Sequence, residues 1–162
     1  MPTPDELKDK LWKSLKSDMT VMLGLASGQE AHKRPMTAQM EDGSTTIWFF
    51  SARGTELVDA LDEGGAAAQA CYASKGHDLF ACIDGRLSID NDDEVIDRLW
   101  NSHVAAWYEE GRDDPKLALL RFDPEHAEIW KDGSSLVAGI KAMFGSDPKK
   151  DYAANKAEVS IA

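Results

Sequence analysis

The sequence predicts a mainly β fold with some α: a small antiparallel β-barrel of six or seven short strands, with helices at its periphery. Three observations carry this. Short β-branched, aromatic or alternating segments recur between residues 19 and 130, parted by Gly-, Asp- and Ser-containing turn clusters. Helical periodicity is confined to brief stretches beside them. No strand–helix–strand unit repeats in the rhythm that a parallel sheet needs.

The first element is a helix. Thr3 and Glu6 have capping-box spacing, Pro4 suits the first helical position, and Leu7, Leu11 and Leu15 recur every four residues on one face. Residues 19–26 are apolar and stop at Ser27-Gly28, the pattern of a buried strand and a turn. Residues 34–40 alternate and end at Glu41-Asp42-Gly43-Ser44. Residues 45–51 (TTIWFFS) are β-branched and aromatic, the strongest strand signal in the chain. Together these form a meander.

The period then changes. Residues 55–61 read as two helical turns stopped by Gly64-Gly65. Residues 66–73 form a small-residue strand, and residues 80–89 another, in which Asp84-Gly85 marks a bulge or bend. Asn91 and Glu94 repeat the capping-box spacing and open a helix with Val95/Leu99 and Ile96/Trp100 pairs. Residues 103–111 carry Trp107-Tyr108 and run to a turn at Asp113-Asp114-Pro115. Residues 117–122 and 126–130 read as a final hairpin around Asp123-Pro124, and residues 135–144 as a last helix. The domain is expected to span residues 1–145. Residues 146–162 hold no bulky apolar period and are expected to be a loosely ordered tail.

The charge is lopsided. Eighteen Lys+Arg against 29 Asp+Glu give −11 over 162 residues, a field that repels nucleic-acid backbones and anionic membranes. No apolar run approaches the roughly 18 residues of a spanning helix, and the first residues lack a basic and then apolar leader, so a cytoplasmic location is expected. The two cysteines, Cys71 and Cys82, form no C-x-x-C and sit in alternating apolar stretches, as buried free thiols do. Four scattered histidines without metal-ligand spacing point to no metal site.

Three clusters could carry chemistry. His32-Lys33-Arg34 is a basic triplet in an acidic chain, suited to phosphate or carboxylate, or else a set of solvent-facing loop charges. Ser51-Ala52-Arg53-Gly54-Thr55 places hydroxyls, a guanidinium and a helix start in one turn, as an anion site would; a plain N-cap by Thr55 would explain half of it. If the strands at 34–40 and 45–51 are hairpin partners, Arg34 and Arg53 flank a common end. Most of the five tryptophans are core by default, but Trp107-Tyr108 lies among polar residues, where a lid over a flat ligand or an interface anchor is the better reading.

The runs Arg34-Pro35-Met36-Thr37-Ala38-Gln39, Ile47-Trp48-Phe49-Phe50-Ser51-Ala52-Arg53 and Ser74-Lys75-Gly76-His77-Asp78-Leu79-Phe80 resemble the general stress protein group of pyridoxamine 5′-phosphate oxidase-like proteins. Arg98-Leu99-Trp100-Asn101, Ala106-Trp107-Tyr108, Asp113-Asp114-Pro115-Lys116-Leu117 and Pro124-Glu125-His126-Ala127-Glu128-Ile129-Trp130 fit the same group, so the resemblance covers about residues 5–145. It implies an antiparallel split β-barrel that binds FMN, as a homodimer with the flavin at the subunit interface. By that resemblance Lys33, Arg34, Pro35, Met36, Thr37 and Gln39 run along the flavin, with Arg34 near the phosphate. Phe50 and Ser51 line the ring and ribityl region, Phe49 is also cofactor-binding, Arg53 and Thr55 hold phosphate, Phe80 sits on the facing strand, and Trp107 comes from the partner to cover the ring.

Two departures stand out. The oxidases proper have Lys where this chain has Gln39 and Leu57. They also end in a segment rich in Arg and His, whereas no arginine follows Arg121 here and residues 151–162 offer only Lys156. The expectation is therefore an FMN-binding protein of the general stress type, with a flavin redox or flavin-binding role, an unknown small-molecule redox partner and no pyridoxine phosphate oxidase activity. Whether it is an enzyme is left open, and no residue stands out as a general acid or base. The alternatives are a non-catalytic barrel serving as a stress-related interaction module, and a reductase using a deazaflavin-type carrier.

Overall fold

The computed structural model describes residues 2–131 and 156–161. Helix α1 (Pro4–Ser17) is opened by a full capping box: Thr3 accepts from the Glu6 N–H, and Glu6 reaches back to the Thr3 N–H. Its stripe of Leu7, Leu11 and Leu15 is almost wholly buried against the sheet.

The sheet strands are β1 (Thr20–Leu25), β2 (Arg34–Thr37), β3 (Gln39–Met40), β4 (Ile47–Ala52), β5 (Ala66–Ala73), β6 (Leu79–Ile89), β7 (Leu117–Lys131) and β8 (Lys156–Ser160). They pair antiparallel in the order β2-β1-β5-β6-β7-β4-β3, with β8 added to β7. The two ends of that order, β2 and β3, are neighbours in the chain, so the sheet curls round until it almost meets itself. This is the expected split barrel. The predicted strand at 34–40 is therefore two strands with different partners: Arg34–Thr37 pairs with β1, and Gln39–Met40 pairs with β4. The switch falls at buried Ala38, whose N–H donates to the Met19 carbonyl at 2.6 Å. β2 and β4 lie side by side without a ladder between them, and that gap positions the site.

Residues 117–131 are one continuous strand and not the expected hairpin. The register with β6 runs from Asp84↔His126 to Gly85↔Pro124, leaving Glu125 as an extra residue on β7. Proline is tolerated at such a bulge because no ladder hydrogen bond is asked of it. Gly85 lets the strands close up there: a Cβ at this position would stand 2.4 Å from the Asp123 carbonyl oxygen.

The expected loose tail is also corrected where it is described. Residues 156–160 form β8 and pair with His126–Trp130, with Ala157, Val159 and Ile161 turned into the core. Their alternation is a strand signal carried by small and medium side chains, which a search for bulky residues passes over. The expected helix at 135–144 lies outside the described residues.

The short helices are α2 (Glu56–Asp59), α3 (Asp93–Leu99) and α4 (Ser102–Ala105). Asp92, not Asn91, caps α3; Asn91 instead reaches across to β7, donating to the Leu117 carbonyl and accepting from the Leu119 N–H. The main core lies inside the barrel, and a second cluster joins Trp48, Val95, Ile96, Val104, Tyr108, Leu117 and Leu119 beneath α3 and α4. Among the described residues no helix is long and apolar enough to cross a membrane.

Candidate functional site

A cleft of about 580 Å³ opens in the gap between β2 and β4. One wall is Pro35, Met36 and Thr37, with Thr20 beside them; the other is Phe50, Ser51 and Ala52. His103, Val104, Trp107 and Tyr108 form the third side. The volume falls within the range of small-molecule and cofactor pockets.

Local sequence places this third side. Asn101 caps α4 by accepting from the N–H groups of His103 and Val104 at 2.9 and 3.0 Å. Tyr108 then folds under the loop, and its hydroxyl donates to the Ser51 carbonyl at 2.6 Å, tying the loop to the end of β4. Burial pushes the Tyr108 phenol up to about 12, so it remains a donor through the neutral range. The Phe50, Trp100 and Tyr108 rings meet with centroids 5.8–6.5 Å apart. Trp107 is left at the rim with 85% of its surface exposed, on the cleft of its own chain.

Among the described residues, no Lys or Arg lines this cleft. The charge lies just beyond its end. Arg53 is exposed on the turn that follows β4, with its N–H bonded to the Lys116 carbonyl at 2.8 Å. The turn passes through Gly54 at φ +91°, a conformation that suits glycine. Thr55 donates to the Ala52 carbonyl and caps α2, which is the plain N-cap role.

Arg34 and Arg53 do not sit at the end of one hairpin, because β2 is bonded to β1. Arg34 reaches the same neighbourhood by another route. It lines a second hollow of about 810 Å³ together with Glu30, His32, and Glu56 and Asp59 of α2, the helix that the Arg53 turn opens. Its guanidinium is paired with Glu30, and its Nε–H is buried without a partner among the described residues. A buried donor left open is costly unless something accepts from it.

The remaining expected residues separate. Pro35, Met36, Thr37, Phe50, Ser51 and Trp107 line the cleft. Phe49 does not: it points inward and is fully buried in the barrel core, one strand position out of phase with the cleft. Gln39 is half-buried opposite Trp48. Lys33 stands beside Gly24 on the outer face. Phe80 lies on the outer face of β6, stacked with His77 and opposite Trp130, away from this chain's cleft. Leu57, where the oxidases have Lys, is a core residue 1% exposed. Ala52 and Tyr108 line the cleft too; both lie in runs that the sequence singles out, the Ser51–Thr55 turn and the Trp107-Tyr108 pair. Thr20, His103 and Val104 carry no sequence signal for the cleft.

These features define a split-barrel protein with an aromatic-walled ligand cleft and a cationic turn at its end. The family described as pyridoxamine 5′-phosphate oxidase like matches residues 6–152, and the chain belongs to that family. Its relatives include general stress proteins. A general stress family protein from Xanthomonas campestris pv. campestris is 57% identical, over 83% of this chain and 93% of that one, with a TM-score of 0.77. The general stress FMN/FAD binding protein of Xanthomonas citri is 53% identical, over 81% and 92%, with a TM-score of 0.75. General stress protein 26 of Bacillus subtilis (strain 168) is 25% identical over 138 residues, which are 84% of this chain and 96% of that protein.

Proposed function

We propose that this chain is an FMN-binding protein of the general stress type, holding one flavin in the cleft between β2 and β4 and acting in flavin redox chemistry or flavin binding. The observation that carries the reading is the juxtaposition of an aromatic-walled cleft with the Arg53 turn and the open, buried Nε–H of Arg34. Those residues fit the group. Pro35–Thr37 and Phe50–Ser51 offer flat, largely apolar walls for a ring system, and Trp107 is free to fold over it. Arg53 and Arg34 supply the cations for one phosphate monoester. The flavin-binding description of the Xanthomonas citri relative supports the same reading.

A bound flavin supplies hydride and electron transfer at its ring. The protein's part is to bind, orient and shield it: Tyr108 holds the loop against β4, and Ser51 and Thr37 offer hydroxyls along the cleft. With no Lys or Arg among the described residues that line the cleft, a second phosphate finds no partner among them, which argues against turnover of a phosphorylated B6 vitamer. The 85%-exposed Trp107 at the rim favours a second copy of the chain closing over the cleft, giving a homodimer with flavin at the interface. The half-buried free thiols suit a reducing compartment such as the cytoplasm.

The test is the visible absorption spectrum of the purified protein, as isolated and after adding FMN. A flavin spectrum perturbed from that of free FMN, with chromophore retained on desalting, supports the proposal. A colourless protein that retains none after FMN is added removes it and favours the interaction-module alternative. A retained chromophore with a deazaflavin spectrum favours the other.

A further inference from the structure

Cys71 and Cys82 lie directly opposite each other on β5 and β6, with their sulfurs 3.2 Å apart. Neither is used by the proposed flavin site. The ladder shows which kind of pair they are. Further along the same register, the Ser74 N–H donates to the Leu79 carbonyl, marking Ser74/Leu79 as a hydrogen-bonded pair. Pairs alternate along an antiparallel ladder, so Cys71/Cys82, three steps away, is a non-hydrogen-bonded pair, where side chains stand closest. The other neighbour of β5 agrees. The Ala26 N–H bonds to the Ala67 carbonyl, and stepping along that register gives Met22/Cys71 as a hydrogen-bonded pair. The backbone of Cys71 therefore faces β1, away from Cys82. Cα atoms of a non-hydrogen-bonded pair are about 4.5 Å apart, inside the span that a disulfide bridges.

We propose that Cys71 and Cys82 are a cross-strand dithiol that a hydroperoxide oxidises to an intramolecular disulfide. One of the two sulfurs attacks the terminal peroxide oxygen and the O–O bond breaks, giving its sulfenic acid and the corresponding alcohol or water. The other sulfur, 3.2 Å away, then attacks the sulfenic sulfur, the S–O bond breaks, and water leaves with the proton of the attacking thiol. The two sulfurs together lose two electrons and the peroxide gains two. Burial and the adjacent Cys82 push the Cys71 thiol up, Asp84 adds to this and Lys33 opposes it. Met22, opposite Cys71 and 40% exposed, provides an internal gauge of oxidation at the same face.

The experiment treats the reduced full chain with graded hydrogen peroxide, quenches it by alkylation in denaturant, and reads intact and peptide masses. The expected result is joint loss of both thiols, a mass decrease of two hydrogens on the peptide pair, and full recovery with dithiothreitol. Cys71→Ser and Cys82→Ser, each lacking the resolving thiol, are expected to stop at a sulfenic acid that dimedone traps and to form no intramolecular disulfide. Thiols that persist at a dose that already oxidises Met22 overturn the proposal. So do separate oxygen additions on the two cysteines, or a disulfide only between chains.

Discussion

Replacing Arg34 with Ala removes a buried donor, unpartnered among the described residues, at the phosphate end of the proposed site. Arg34 is 27% exposed, and its partner Glu30 only 13%, so a phosphate meeting this guanidinium does so largely out of water. A hydrogen bond between charged groups in such a place contributes about 2 kcal/mol, so Arg34→Ala is expected to weaken FMN binding roughly 30-fold. The same geometry makes a second expectation of opposite sign. Glu30 already neutralises part of the Arg34 charge, and its carboxylate lies in the hollow with Glu56 and Asp59. Glu30→Gln removes one negative charge from that hollow and is expected to tighten FMN binding by about 1 kcal/mol, roughly fivefold. Fluorescence titration of FMN against each variant at one fixed ionic strength measures both, and raising the salt should shrink the Glu30→Gln gain. Unchanged binding in Arg34→Ala together with weaker binding in Glu30→Gln would refute the assignment of Arg34 to the phosphate.

Other expectations concern the frame that holds the cleft. Gly85→Ala drives a Cβ into the Asp123 carbonyl, which backbone cannot yield to, and should cost about 2 kcal/mol, lowering Tm by roughly 6 °C in thermal unfolding. Tyr108→Phe removes the bond to the Ser51 carbonyl and should cost about 1 kcal/mol, roughly 3 °C. Because the folded phenol is raised to about 12, its contribution is complete below pH 10 and fades from there to pH 12; Tyr108→Phe should flatten that alkaline decline. Arg98 grips Glu41 through two bonds and holds its carboxyl below the usual range. That contribution is present at neutral pH and disappears as pH falls through the depressed value. Glu41→Gln should therefore lose about 0.5 kcal/mol at pH 7 and show a shallower acid decline in urea unfolding curves.

Much of the frame was legible because its signals are local. The Thr3/Glu6 box with its leucine stripe, the Ala66–Ala73 strand and the irregularity at Asp84-Gly85 each follow from residues a few positions apart. The errors arose where a distant partner decides. Ala38 divides one alternating run because the barrel closes there, and no property of residues 34–40 themselves reveals it. Asp123-Pro124 reads as a turn in isolation, yet opposite Gly85 it becomes a bulge in a long strand. The site follows the same division. Pro35, Met36 and Thr37 of β2, with Phe50 and Ser51, follow from their runs, whereas Phe49 falls one step of the strand period away. Tyr108 gains its place through the Phe50 and Trp100 rings and a bond to Ser51, 57 positions away.

The proposed site holds a flavin by its ring in the cleft and by its phosphate at Arg53 and Arg34. Paired equilibrium titrations with FMN and riboflavin, identical but for the phosphate, test this most directly. Saturable binding of one FMN per chain is expected, with riboflavin weaker by at least about tenfold, the share of one charge-assisted phosphate contact. Equal affinities for the two, or no saturable binding of FMN, would contradict it.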